Sequence, residues 1–134
     1  MRHSILVVDD NSNVTSPIEE YLQRGGFEVS VARSSAEAKI ALAEKRFSLV
    51  ITDLRMETGT DADGLDLIRY IREAKPGLPV FILTASGSPD TATEVIRLQV
   101  TKFLGKPLSM PVLLCTVRQF VDEFYGPVYP YSPS

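Results

Sequence analysis

Three short apolar runs stand out along the chain, and each ends in an oxygen-bearing residue. Ser4-Ile5-Leu6-Val7-Val8 runs into Asp9-Asp10, Leu49-Val50-Ile51 runs through Thr52 into Asp53, and Val80-Phe81-Ile82-Leu83 runs into Thr84. The runs are continuous rather than alternating, rich in β-branched residues and too short for helices, which is how strands buried on both faces read. A buried strand cannot keep a charge in its middle, so the aspartates mark where strands leave the core. Between these runs the apolar period becomes helical. Asn11 to Gln23 carries Ile18, Tyr21 and Leu22 on one stripe, with Ser16-Pro17-Ile18-Glu19 fitting a capping box and Gly25-Gly26 as the stop. Phe27 to Ala32 predicts a second strand, and Ser34-Ser35-Ala36-Glu37 opens a second helix to about Lys45. Gly64 to Glu73 carries Leu65, Ile68 and Ile71 at helical spacing, and Lys75-Pro76-Gly77-Leu78-Pro79 breaks it. Asp90 to Gln99 predicts a fourth helix and Thr101 to Leu104 a short fifth strand. In the last helix, Met110 to Phe124, the residues Leu113, Val117, Phe120, Val121 and Phe124 share a face.

Strand and helix alternate five times. Such alternation predicts an α/β fold, a parallel sheet covered by helices on both faces, because parallel strands need right-handed crossovers. In open α/β sheets ligands sit at the carboxyl ends of the strands. Adjacent parallel strands would therefore bring Asp9, Asp10, Asp53 and Thr84 to one edge.

Composition narrows the function. With 134 residues, 44% hydrophobic and 23% charged, the chain fits one globular domain and suggests neither disorder nor a membrane span. A net charge of −3 without a basic arm gives no footprint for direct nucleic-acid binding. The single cysteine, Cys115, excludes an internal disulfide and reads as a buried small residue. The amino terminus enters a strand with no signal-peptide pattern, so a cytoplasmic protein is expected. His3, the only histidine, reads as a bystander. Residues 1–125 are expected to form the domain. The proline-rich stretch 126–134 reads as a disordered end or the start of a linker.

The strand-end residues suggest a chemistry. Two or three carboxylates close together repel unless a cation joins them, and Mg²⁺ prefers a few carboxylate oxygens with water and phosphate oxygens. An aspartate beside Mg²⁺ can attack phosphorus to form an aspartyl phosphate. The transferring group is anionic, so a fixed cation should stand opposite the metal. Lys106, held by Pro107 at the mouth of the fifth strand, suits that role, and Thr84 could hydrogen-bond a phosphoryl oxygen.

Asp9-Asp10 after strand one, Asp53 after strand three, Thr84-Ala85 after strand four and Lys106-Pro107 after strand five resemble the receiver domain of bacterial response regulators, over roughly residues 4–124. The resemblance implies a doubly wound, flavodoxin-like sheet of order 2-1-3-4-5 with five helices. It implies a two-component phosphoprotein in which Asp53 accepts a phosphoryl group from a sensor histidine kinase or phosphotransfer protein. Asp9, Asp10, Asp53 and the backbone carbonyl of Arg55 would hold Mg²⁺. Lys106 and Thr84 would contact the phosphoryl group, and Phe103 stands at the switch aromatic position. The output would be a repacked face of helix four, strand five and helix five for a downstream partner, with Val112 and Leu114 hinting at a patch for that partner or a homodimer. A cis Lys106–Pro107 bond is also implied. No catalytic turnover beyond slow self-dephosphorylation is expected.

The loop after Asp53 departs from the family. Met56-Glu57-Thr58-Gly59-Thr60-Asp61-Ala62-Asp63-Gly64 is a few residues longer than usual and lacks its proline, and it reads as a tolerated surface insertion or a cover over the site. Arg55 reads equally as a solvated arginine or a rate-tuning one. The competing reading is a Mg²⁺-dependent phosphatase with an aspartyl-phosphate intermediate. It lacks the Asp-x-Asp pair, because Leu54-Arg55 follows Asp53. A nucleotide module lacks its glycine-rich loop. A receiver that has lost phosphorylation conflicts with the intact acidic, hydroxyl and lysine positions.

Overall fold

The computed structural model describes residues 2–54, 62–84, 95–106 and 108–126. Five strands, β1 (Ser4–Val8), β2 (Glu28–Ala32), β3 (Leu49–Asp53), β4 (Val80–Thr84) and β5 (Lys102–Gly105), form one parallel sheet in the order β2-β1-β3-β4-β5. The helices are α1 (Ser12–Arg24), α2 (Ser35–Glu44), α3 (Ala62–Ala74), α4, described at 95–97, and α5 (Met110–Tyr125).

Alternate residues of each central strand feed opposite faces of the sheet. Leu6, Val8, Val50 and Ile82 pack with Ala38 and Leu42 of α2, Leu67, Ile68 and Ile71 of α3 and Val95 of α4. Ile5, Val7, Leu49, Ile51, Phe81 and Leu83 pack with Ile18 and Leu22 of α1 and Leu113, Val117 and Val121 of α5. Both faces are dry, which is why the strands read as unbroken apolar runs. Each buried aliphatic side chain contributes about 1.5–3 kcal/mol, so this two-sided core fixes the strand ends firmly.

Several local readings change. Helix α1 starts at Ser12, close to the expected Asn11, but its cap lies five residues before the expected Ser16. Asn11 is its N-cap, accepting a hydrogen bond from the Asn13 N–H at 2.9 Å, and Pro17 lies inside the helix. Pro17 sits in the second turn, where its missing N–H forfeits one intrahelical bond near the helix start. The second capping box holds, since the Glu37 N–H donates to Ser34 Oγ at 3.1 Å, but Glu37 reaches back to the Arg33 N–H at 2.9 Å. Cys115 is exposed rather than buried. It lies two residues beyond the buried Leu113, about 200° around the helix. Phe124, expected on the core face, is 54% exposed and stacks on Phe120 at 5.2 Å. Of the two residues read as a patch, Val112 is exposed, whereas Leu114 is half-buried and lies against Gly25 at the end of α1.

His3 is a structural residue. Its Nδ1 lies 2.6 Å from Ser48 Oγ and its ring 5.0 Å from that of Tyr125, whose hydroxyl donates to the Ser48 carbonyl at 2.7 Å. The 55–61 part of the loop, residues 90–94 of the predicted fourth helix, Pro107 and the tail 127–134 lie outside the described residues.

Candidate phosphoryl-acceptor site

The register of the sheet assembles the acidic pair. Val8 of β1 pairs with Thr52 of β3, so one step further places Asp9 beside Asp53. The Asp9 N–H donates to the Ala32 carbonyl at 3.1 Å, carrying the β1–β2 ladder past the end of β1. Asp9 Oδ1 accepts from the Asn11 N–H at 3.0 Å. Asn11 thus links the capping of α1 to the orientation of Asp9, a role the sequence hides because its only signal is an Asn two residues past an Asp.

Asp53 closes β3, and its backbone is locked from two sides. Thr52 Oγ1 donates to the Asp53 carbonyl at 3.0 Å, and the Gly64 N–H near the start of α3 donates to the Leu54 carbonyl at 2.9 Å. A Cβ on Gly64 would lie 2.8 Å from the Asp53 carbonyl oxygen and 2.5 Å from Leu54 Cα, so only glycine allows this approach. The sequence marked Gly64 as a helix start without revealing that contact.

Lys106 leaves the end of β5 and crosses back over β4. Its Nζ lies 3.3 Å from Asp9 Oδ2 and 3.4 Å from Asp53 Oδ2. Asp9 is 1% exposed and Asp53 8% exposed, so two largely desolvated carboxylates share one ammonium. Two largely buried carboxylates this close repel each other, and cations beside them, Lys106 among them, relieve that repulsion. An apolar groove of about 510 Å³, lined by Val14, Pro17, Ile18, Leu108 and Met110, opens beside Lys106.

The remaining expected residues stand differently. Asp10 is exposed, and among the described residues no three His, Cys, Asp or Glu side chains converge tightly enough to hold a metal ion. The donor chemistry still fits Mg²⁺, since Asp9 and Asp53 offer hard carboxylate oxygens at one strand-end edge. Thr84 ends β4, paired with Gly105, but its side chain, together with Arg55, Ala85 and the Lys106–Pro107 isomer, falls outside the described residues. Phe103 on β5 is 48% exposed, with its side chain outside the two core clusters.

The known response regulator receiver domain matches residues 5–118 of this sequence. The chain belongs to that family. The receiver is 37% identical over 109 residues to the response regulator protein PilR of Pseudomonas aeruginosa, which covers 81% of this chain and 24% of PilR. The chain spans between about a quarter and a half of the length of the curated relatives it matches. Among solved structures, the receiver is similar to a response regulator receiver protein from Pseudomonas putida, at 34% identity and TM-score 0.80, covering 89% of this chain and 98% of that one. A CheY-like receiver domain protein from Methanospirillum hungatei, at 21% identity and TM-score 0.84, shares the fold over 92% of this chain and 96% of its own. As the receiver domain of a two-component response regulator, the chain is a signalling switch rather than a classical enzyme.

Proposed function

We propose that the receiver is switched by a phosphoryl group carried on Asp53. The observation that supports this most is the ammonium of Lys106 set against the buried carboxylates of Asp9 and Asp53 at one strand-end edge. The donor is a phosphohistidine on a sensor kinase or phosphotransfer protein. An Asp53 carboxylate oxygen attacks phosphorus, the P–N bond breaks, and the imidazole leaves with the bonding pair and takes up a proton. Asp9, Asp10 and Asp53, with the Arg55 carbonyl, would hold Mg²⁺, which when bound neutralises charge on carboxylate and phosphoryl oxygens.

Lys106 supplies a fixed positive charge in a partly dry site, where it stabilises charge developing on the phosphoryl oxygens. The Thr84 hydroxyl then bonds a phosphoryl oxygen, and Phe103 turns inward. A half-exposed ring at 103 is consistent with such a rotation. The shift repacks the face of α4, β5 and α5 for a downstream partner, a coupling of about 1–3 kcal/mol. Water hydrolyses the acyl phosphate slowly, which resets the switch.

The domain is taken to span residues 1–125. The greater length of the relatives supports output by a further segment. A cytoplasmic setting agrees with the lack, among the described residues, of any helix long and apolar enough to cross a membrane.

Intact mass spectrometry tests the reading. With phosphoramidate and Mg²⁺, wild type should gain one phosphoryl group and Asp53→Asn none. Equal gain by both would remove Asp53 as the acceptor.

A further inference from the structure

Arg72, in the last turn of α3, is half-buried and directs its guanidinium at main-chain carbonyls. Nε donates to the Leu98 carbonyl at 2.7 Å and Nη2 to the Gln99 carbonyl at 3.4 Å. Nη1 donates to Pro76 and Lys75 at 3.3 and 3.5 Å, in the turn that leads into β4. One side chain thus ties the end of α3 to the end of α4 across the α3–β4 turn. Burial lowers the Arg72 pKa, a cost tolerated because these carbonyls replace part of its lost water.

The end of α4 is also where the backbone is strained. Gln99 has φ 57°, and among the described residues it is the one non-glycine at positive φ. The Gln99 N–H donates to the Ile96 carbonyl at 3.0 Å and the Val100 N–H to the Val95 carbonyl at 3.4 Å, the doubled helix end that ordinarily carries glycine. Arg72 collects the carbonyls that this ending leaves without helical partners. Directly after it, the Thr101 N–H donates to the Val80 carbonyl at 2.8 Å and Thr101 Oγ1 accepts from the Val80 N–H at 3.3 Å, starting β5 on β4. Strand β5 then delivers Phe103 and Lys106. Backbone strain persists where the surroundings over-determine it, and here it lies at the junction between a surface helix and the strand that feeds the site.

We propose that Arg72 is a positioning residue: by clamping the strained α4–β5 junction to α3, it fixes the point from which β5 carries Phe103 and Lys106, so phosphorylation moves the switch face against a fixed anchor. The switching half of this proposal rests on the phosphoryl-switch reading; the clamp itself does not.

Amide hydrogen exchange on the full chain tests both halves, with and without beryllofluoride and Mg²⁺ as the phosphoryl mimic. In Arg72→Met without the mimic, the amides of Gln99, Val100 and Thr101 should exchange about tenfold faster while those of β1 and β3 are unchanged. Arg72→Lys should fall between, because one ammonium cannot span the separate carbonyls the fork reaches. Adding Gln99→Gly to Arg72→Met should restore most of the protection, since glycine adopts this backbone without strain; loss of a merely structural contact would not be rescued in this way. With the mimic, wild type should change exchange at Phe103 and Leu104, and that change should shrink about threefold or more in Arg72→Met. Unchanged exchange at 99–101 overturns the clamp, and a full-sized response at Phe103 in Arg72→Met overturns its part in switching. A wild type that shows no response to the mimic overturns the phosphoryl-switch reading and the switching half with it. The exchange at 99–101 decides the clamp in either case.

Discussion

The Lys106 ammonium stands 3.3 Å from the Asp9 carboxylate across 97 positions of sequence. With Asp53 at 3.4 Å as well, Lys106 is a counter-charge to a largely buried acidic pair. Lys106→Met should lower stability by about 1–3 kcal/mol at neutral pH, because it leaves both carboxylates without that partner. Millimolar Mg²⁺ should then stabilise the variant more than it stabilises wild type, since binding to the folded state adds stability by mass action. Urea denaturation with and without Mg²⁺ reads both effects. An equal Mg²⁺ increment in the two proteins would mean that the ion does not meet this acidic pair.

Asp10 adds negative charge beside that pair and is itself exposed. Asp10→Asn should leave metal-free stability unchanged or slightly higher, within about 0.5 kcal/mol, because it relieves like-charge repulsion. The same change should weaken Mg²⁺ binding about tenfold or more, by removal of a charged oxygen ligand. A Mg²⁺ titration followed by amide shifts near Asp53 checks this, and unchanged affinity would remove Asp10 from the metal site.

Gly64 packs against the backbone that carries Asp53. Gly64→Ala would put a methyl 2.5 Å from Leu54 Cα and 2.8 Å from the Asp53 carbonyl, neither of which can rotate away. A loss of about 2–3 kcal/mol is expected, with slower phosphoryl uptake as the end of β3 shifts. Thermal unfolding together with the phosphorylation rate measures it. An unperturbed variant would show that α3 can retreat without cost.

Much of the fold and of the site was legible in the sequence, and the misses share a cause. Strands β1, β3 and β4 were readable because both faces are dry, so no solvent face interrupted their apolar runs. Their ends were readable because charge cannot stay in such a strand. What could not be read depended on distant partners. Ser16 and Asn11 are both competent caps, and Asn11 prevails where its N–H also bonds Asp9. His3 looked idle because Ser48 and Tyr125 lie far along the chain. Nothing in the sequence singles out Arg72, because its acceptors are main-chain carbonyls, which carry no residue-type signal.

Partial burial pushes the Tyr125 phenol pKa up, although the residue is 42% exposed. With the folded pKa above the unfolded value, its contribution to stability is present below about pH 10 and lost as pH rises through the folded value. Tyr125→Phe should therefore reduce the alkaline loss of stability, and at pH 7 cost about 1 kcal/mol for the bond to the Ser48 carbonyl. Urea midpoints from pH 7 to about pH 11 test it. An alkaline slope identical to wild type would contradict the assignment.

The most direct measurement is the rate of phosphoryl incorporation from a small phosphodonor into wild type, with Mg²⁺ and again after chelation by EDTA, with the labelled peptide identified. One phosphoryl group per chain on Asp53, at a rate reduced about a hundredfold or more by EDTA, is the expected result. Incorporation that is indifferent to EDTA, or that maps to a residue other than Asp53, would contradict it.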